Sequence, residues 1–147
     1  SIAWGFGNIQ VNNEQPEEFY RIGINGKCTV CLLTPIKFIS CFNTDENIDT
    51  DGLHERILSV IKNAGIPMMN AYFADKKISI FEISSCAGDL RSRFLQILQA
   101  DPTFTEMGIS VEDLTIEGIH INEDDIERIR SRIDISMITK EQGSKLL

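Results

Sequence analysis

The stretch Gly108–Asn122 reads GISVEDLTIEGIHIN and leads into a charged segment that continues to Arg132. Its apolar residues occupy odd positions, then even ones, then odd ones again: Ile109, Val111, Leu114, Ile116, Ile119 and Ile121. Side chains on a strand change face with every residue, so each change of parity needs an extra residue or a break. The sequence therefore predicts one long strand that is bulged or bent twice, at Glu112-Asp113 and at Gly118.

The charged segment that follows has the pattern of a capped helix. Asn122 is a good N-cap, Glu123-Asp124-Asp125 fills the first turn, and arginines follow at 128, 130 and 132. Acidic groups at the start and basic groups near the end both suit the helix dipole. An apolar stripe along this helix must be buried by the domain itself or by a neighbouring copy, which makes it a candidate self-association stripe: Ile126, Ile129 and Ile133.

Two further strands are predicted near the start of the chain, Ala3–Val11 and Phe19–Leu33, separated by a polar hinge. The second contains Asn25-Gly26, a dipeptide typical of tight hairpin turns. The sequence therefore predicts that Glu18–Ile24 and Lys27–Leu33 form an antiparallel pair.

Helical patterns occupy the middle of the chain. Thr34-Pro35 predicts the start of a short apolar helix. Leu53 to Ala64 then shows the spacing of an amphipathic helix. Gly65-Ile66-Pro67 is expected to end it, because glycine favours helix ends and proline disfavours a helical conformation in the preceding residue.

The next segment, Met68–Phe81, is ambiguous between irregular chain and a short strand, and helix is favoured from Ile78 onward until Asp101-Pro102. Together these elements predict an α+β fold with a small antiparallel, partly bent sheet packed against three to four helices. Residues 1–135 are expected to form one domain, and residues 136–147 an exit segment towards a downstream helix or coiled coil.

Composition limits the classes of function. The chain has 147 residues, 42% of them hydrophobic, and a formal net charge of -8 with a pI of about 4.7. Nucleic acids and anionic headgroups select for clusters of lysine and arginine, so neither is expected to bind this domain directly. No apolar run approaches the roughly 18 to 20 residues that span a bilayer, so a cytoplasmic domain is expected.

The four cysteines are expected to be reduced, because a chain of this length can bury a core without disulfides. Cys28 and Cys31 have the spacing of a metal or redox pair, but on a regular strand they point to opposite faces. His54 and His120 are expected to face solvent. A small cysteine hydrolase, using Cys41 or Cys86 with one of these histidines, is kept as a distant third function.

Two other patterns are weighed and set aside. Gly5-Phe6-Gly7 lacks the third glycine and the following helix of a phosphate-binding fingerprint, so it is interpreted as a bend. The acidic residues Asp45, Glu46, Asp49 and Asp51 lack the central glycine and terminal glutamate of a calcium loop. No catalytic, cofactor-binding or metal-binding residue is therefore expected.

The order of these elements resembles the SPFH (stomatin/prohibitin/flotillin), or band 7, domain over most of the chain. The likeness lies in the hairpin, the TPIKF segment at Thr34–Phe38, the amphipathic helix, and the final strand that feeds a helix. The opening Ala3–Ile9, AWGFGNI, is similar to a stretch in a bacterial branch, the virion-core-protein-like SPFH proteins. At the last helix most relatives have proline before the acidic pair, where this chain has Asn122.

This resemblance implies a non-catalytic, membrane-associated scaffold that self-assembles and organises protein partners, with no cofactor. Membrane attachment is then expected through an anchor or a partner. A stand-alone α+β adaptor domain that binds one protein partner is the main alternative, and it would stay small where a scaffold forms large homo-oligomers.

Overall fold

The computed structural model describes residues 1–43 and 47–133 and confirms an α+β fold. Three strands, β1 (Ile2–Val11), β2 (Tyr20–Leu32) and β3 (Ile109–Ile121), form an antiparallel sheet in the order β1-β2-β3. The helices are α1 (Pro35–Phe42), α2 (Thr50–Ala74), α3 (Ala87–Ala100), α4 (Pro102–Glu106) and α5 (residues 123–133). Short 3-10 helices occur at Pro16–Glu18 and Ile83–Cys86.

The hydrophobic core lies between one face of the sheet and the helices. Along β1 and β2 the even-numbered side chains of the first half of each strand are buried, from Ile2 and Trp4 to Tyr20, Ile22 and Ile24. Helix α2 packs on β1, and α3 packs on β3 and on α2. The opposite face carries exposed residues such as Ala3, Lys27 and Thr115.

Strand β3 has both predicted irregularities. Its pairing with β2 shifts register once between Val111 and Asp113 and again between Ile116 and Gly118. Glu112 and Glu117 are the extra residues, so the side chains on either side of each bulge stay on the core face. The prediction from apolar parity is confirmed.

The predicted hairpin turn at Asn25-Gly26 is wrong. β2 runs through both residues as one strand, with Gly26 paired to Trp4 on one side and Ile116 on the other. A Cβ added to Gly26 would fall on the carbonyl oxygen of Thr115. The glycine is therefore needed for close strand contact at the second bulge of β3, and the antiparallel partners of this strand are β1 and β3.

The predicted helix end at Gly65-Ile66-Pro67 is also wrong. The irregular or strand interpretation of Met68–Phe81 is wrong for Met68–Ala74, but residues 75–81 are irregular, with an isolated bridge at Lys77. Helix α2 continues through Pro67 to Ala74. A proline inside a helix costs about 3 kcal/mol, but Met69 and Phe73, buried in the extra turns, contribute roughly 1.5 to 3 kcal/mol each. Burial in the tertiary structure outweighs the local preference.

The other local predictions have mixed outcomes. Helix α3 begins at Ala87, later than the predicted start at Ile78, and it ends at Asp101-Pro102 as predicted. The Gly5-Phe6-Gly7 segment lies within β1, whose register shifts between Phe6 and Ile9 and where Asn8 has a φ of 63°. Asp45, Glu46 and the exit segment 136–147 lie outside the described residues.

No helix in residues 1–43 and 47–133 combines the length and apolar character needed to cross a membrane.

Candidate functional site

The most distinctive surface feature is a cluster of exposed aliphatic side chains around α1, here called the α1 patch. Five of the eight large hydrophobic side chains that are exposed in the described residues belong to it: Leu32, Leu33, Ile36, Ile39 and Ile48. Ile36 is the most exposed of them, at 78%. Single exposed apolar residues are ordinary, whereas several on one short helix and the residues that flank it form a candidate interaction surface.

The patch exists because α1 is a helix with apolar residues on both sides. Phe38 and Phe42 turn inward, with ring centroids 5.3 Å apart, and Phe42 is buried in the core. Ile36 and Ile39, three residues apart, share the opposite side and point outward. The domain has no further layer over this side in the part of the chain that the structure describes.

The N-terminal end of α1 is fixed to the start of β3. The backbone N–H groups of Leu33 and Thr34 donate to the carbonyl oxygen of Gly108, at 2.8 and 2.9 Å. Gly108 has a φ of +77°, and a Cβ there would lie 2.6 Å from the backbone nitrogen of Phe38. The patch is therefore presented by a well-anchored helix.

Cysteines and acidic residues border the patch. The Cys31 thiol donates to Oε2 of Glu112 at 2.9 Å, and the Cys41 thiol lies 3.7 Å from the carbonyl oxygen of Glu106. Lys37 is the basic residue on α1 itself. Arg56 lies over the Phe42 ring, 5.3 Å from its centroid. These two basic residues fall short of the clusters of about four to eight that anionic headgroups select.

Cys28 and Cys31 point to opposite faces of β2, as predicted. Burial raises the pKa of the Cys28 thiol to about 11. The hydrogen bond to Glu112 raises the pKa of the exposed Cys31 thiol above its ordinary value. Both thiols are therefore protonated at neutral pH, whereas nucleophilic and metal-binding cysteines act as thiolates.

Both histidines are exposed, as predicted. His120 Nε2 lies 2.9 Å from Oδ1 of Asn25, and His54 lies on the outer side of α2. Within residues 1–43 and 47–133, no cysteine is hydrogen-bonded to a histidine, and no group of three metal-binding side chains is found. The proposed cysteine hydrolase has no assembled nucleophile and base in this part of the chain.

The predicted self-association stripe on α5 lies partly inside the domain. Ile129 is 1% exposed, whereas Ile126 and Ile133 are half-buried. Ile133 packs against the core. The domain itself therefore covers the centre of the stripe, and its role in self-association stays a prediction.

An ion pair between the exposed Arg21 and the buried Asp125 fixes α5, and the sequence did not predict it. Asp125, 2% exposed, accepts hydrogen bonds from the backbone N–H and Nε of Arg21 at Oδ2, and from Nη2 of Arg21 at Oδ1, at 2.9 to 3.1 Å. In the sequence, Asp125 is explained as one of the acidic residues in the first turn of a capped helix. Its position four residues before Ile129, on the buried side of the helix, is the signal that could have identified it.

Two arginines on α5 hold the connection between β1 and β2. Arg128 lies over the ring of Phe19, 4.2 Å from its centroid, and donates to the Phe19 carbonyl oxygen. Arg132 forms an ion pair with Glu17 at 2.6 Å. The predicted cap is also present, since Oδ1 of Asn122 accepts from the N–H of Asp125 at 3.2 Å.

The Asp125 pair predicts a pH-dependent contribution to stability. Hydrogen bonds from Arg21 lower the pKa of Asp125, so its stabilising effect is complete above the ordinary aspartate pKa and is lost as pH falls through the lowered value. Asp125→Asn should lower the free energy of unfolding by about 2 kcal/mol at neutral pH. The difference from wild type should vanish in acid, well below about pH 4, as urea denaturation over a pH series would measure.

The exposed Asp51→Asn is the matched control and should change stability little at any pH. A loss for Asp125→Asn that is the same at acidic and neutral pH would contradict the assigned charge interaction.

No known family profile matches this chain, and no curated protein matches it.

Proposed function

We propose that this domain is a non-catalytic scaffold module that associates with copies of itself and organises protein partners at a membrane. The α1 patch is the observation that carries the proposal. A domain that leaves Leu32, Leu33 and Ile36 more than half exposed has an apolar surface that another protein surface can bury. The resemblance of the sequence to the SPFH domain implies the same function.

The α1 patch is better suited to protein than to an anionic bilayer. The chain carries a net charge of -8, and the Glu112 carboxylate lies beside Cys31, which precedes Leu32 of the patch. Membrane association is therefore proposed to be peripheral and to come from an anchor or a partner. The stand-alone adaptor remains the alternative, since one partner could also cover the patch.

Assembly state tests the proposal. Wild-type protein should show a concentration-dependent rise in molar mass by size-exclusion chromatography with light scattering. The double variant Ile36→Asp/Ile39→Asp should weaken this association by about a hundredfold, because two isoleucines lose their burial between copies. Both side chains are exposed, so the fold should be retained, which circular dichroism would verify.

Phe81→Asp is the matched control, because Phe81 is 74% exposed and lies outside the patch. It should leave the assembly unchanged. Wild type that stays monomeric at the highest attainable concentration would favour the adaptor. Strong sedimentation with anionic liposomes at physiological salt would overturn the proposed indirect attachment.

A further inference from the structure

The two edge strands of the sheet differ in how far other residues hydrogen-bond to their main-chain groups. At the β3 edge, α3 side chains donate to main-chain carbonyl oxygens: Arg91 Nε to Leu114 at 2.8 Å and Gln99 Nε2 to Val111 at 3.2 Å. At the β1 edge, only the far end is occupied, where the N–H of Ile78 donates to the carbonyl of Asn12 at 2.9 Å. The described residues place no such side-chain hydrogen bond on the main chain of Ile2–Gly7.

The open part of β1 also lacks the usual protection against another strand. Natural edge strands carry charges, prolines, bulges or a covering element. Residues 2–7 read IAWGFG and contain neither a charge nor a proline. The bulge follows only after Phe6, and the side chains on the solvent face are limited to Ala3, Gly5 and Gly7. A second strand can therefore approach this edge closely.

A groove of about 550 Å³ runs between this edge and α2. Its β1 wall is formed by Ala3–Phe6, and its α2 wall includes Leu58, which is 38% exposed. Trp4 lines the groove, and its indole Nε1 is buried without a hydrogen-bond partner in the part of the chain that the structure describes.

The charges on the α2 wall are arranged so that they would attract the same wall of a second copy. Glu55 and Lys62 stand seven residues apart with Leu58 and Ser59 between them, and all of them line the groove. When two copies of such a helix face each other antiparallel across a twofold axis, Glu55 of one copy meets Lys62 of the other, twice. Leu58 and Ser59 then lie at the axis.

We propose that the β1 edge pairs antiparallel with the β1 edge of a second copy of this chain, giving a continuous six-stranded sheet across a twofold axis. A register centred on Trp4 keeps Ala3 opposite Gly5 of the second copy on the solvent face. On the core face it sets Ile2 opposite Phe6 of the second copy. Both α2 helices then lie on the same side of the sheet, where the reciprocal Glu55–Lys62 pairs form.

This inference deepens the proposed self-assembly but uses a surface other than the α1 patch. An isologous contact alone ends in a dimer, so growth to larger assemblies needs a second, different contact. The β1 edge and the α1 patch together supply two such surfaces on one domain.

Swapping the charges of Glu55 and Lys62 tests the pairing, with the dimer dissociation constant measured by sedimentation velocity. All variants carry Ile36→Asp/Ile39→Asp, so that the α1 patch does not contribute. A dimer should remain in this background. Glu55→Lys should raise its dissociation constant about tenfold, because two attractive contacts become repulsive. Adding Lys62→Glu to the same protein should restore the original value. Glu14→Lys, which changes the net charge equally at an exposed site outside the groove, should have no effect.

Hydrogen exchange followed by mass spectrometry supplies the second measurement. The amides in residues 2–7 that point away from β2 should exchange more slowly as protein concentration rises, since they become part of a ladder between copies. Hydrogen exchange that does not depend on protein concentration would overturn the pairing. A Glu55→Lys/Lys62→Glu variant that dimerises as weakly as Glu55→Lys alone would overturn it as well. So would slow exchange in a monomer, which would show the edge to be occupied by the chain's own residues or by a foreign peptide.

The failures of the two proposals are distinguishable. A monomer in the Ile36→Asp/Ile39→Asp background, together with a wild type that assembles, removes the β1 pairing and leaves the α1 patch. If Ile36→Asp/Ile39→Asp leaves the assembly unchanged and Glu55→Lys weakens it, the α1 patch is removed as the contact and the β1 pairing stands.

Discussion

Gly26→Ala should lower the free energy of unfolding by roughly 3 kcal/mol or more. An added Cβ would collide with the carbonyl of Thr115, whose carbon atom would be 2.8 Å away. Backbone on a central strand cannot move aside without disturbing pairing on both sides, to Trp4 and to Ile116. Urea denaturation followed by circular dichroism would measure the loss.

Gly23→Ala is the matched control, because Gly23 lies on the same strand with its nearest neighbour, the Phe6 carbonyl oxygen, 3.6 Å from the added Cβ. It should be nearly neutral. Equal losses for the two variants would refute the close approach at Gly26. A Gly26→Ala chain that does not accumulate in folded form agrees with the prediction only if Gly23→Ala folds normally.

Phe94→Ala should have an effect of similar or greater size, about 4 kcal/mol. Phe94 is fully buried, with its ring centroid 5.3 Å from that of Trp4 and 6.1 Å from that of Phe6. A Cβ on Gly65 would lie 2.8 Å from the Phe94 ring, so α2 also packs tightly on it. Truncation leaves a cavity where α2, α3 and β1 meet, and chemical denaturation would report the loss.

Ile97→Ala on the same helix is the control, because Ile97 is 39% exposed and should cost well under 1 kcal/mol. Phe94→Leu, which retains most of the volume, should fall between the two. A Phe94→Ala loss no larger than that of Ile97→Ala would mean that this aromatic cluster does not hold the two helices on the sheet.

Gly26 and the Gly65–Pro67 segment show what the local sequence could not predict. Asn25-Gly26 has the local preference of a turn, and nothing in its neighbours reveals that Thr115 passes directly against it. The contact joins residues almost ninety positions apart, whereas a turn signal reads only adjacent residues. Gly65 and Pro67 gave a wrong prediction for the same reason, because the burial of Met69 and Phe73 rather than local propensity decides that α2 continues.

The α1 patch and the β1 edge likewise could be predicted from the sequence only in part. Ile36, Phe38, Ile39 and Phe42 could be recognised as an apolar helix, but its sequence does not say which side faces the core. The sequence does not identify β1 as the open edge, because this depends on β2 lying in the centre of the sheet and on α3 covering the β3 edge.

The sequence by itself determined the features that depend on neighbouring residues. The two bulges of β3 were predictable from the parity of its apolar side chains, and the helix after it from Asn122 and the residues of its first turn. Both follow from local geometry, since a strand alternates every residue and a helix start needs an acceptor. Tertiary structure alone decided the continuous β2, the length of α2, the ion pair between Arg21 and the buried Asp125, and the exposed surfaces. Each of these is set by free energy of burial and contact between residues far apart in the chain, which no local pattern encodes.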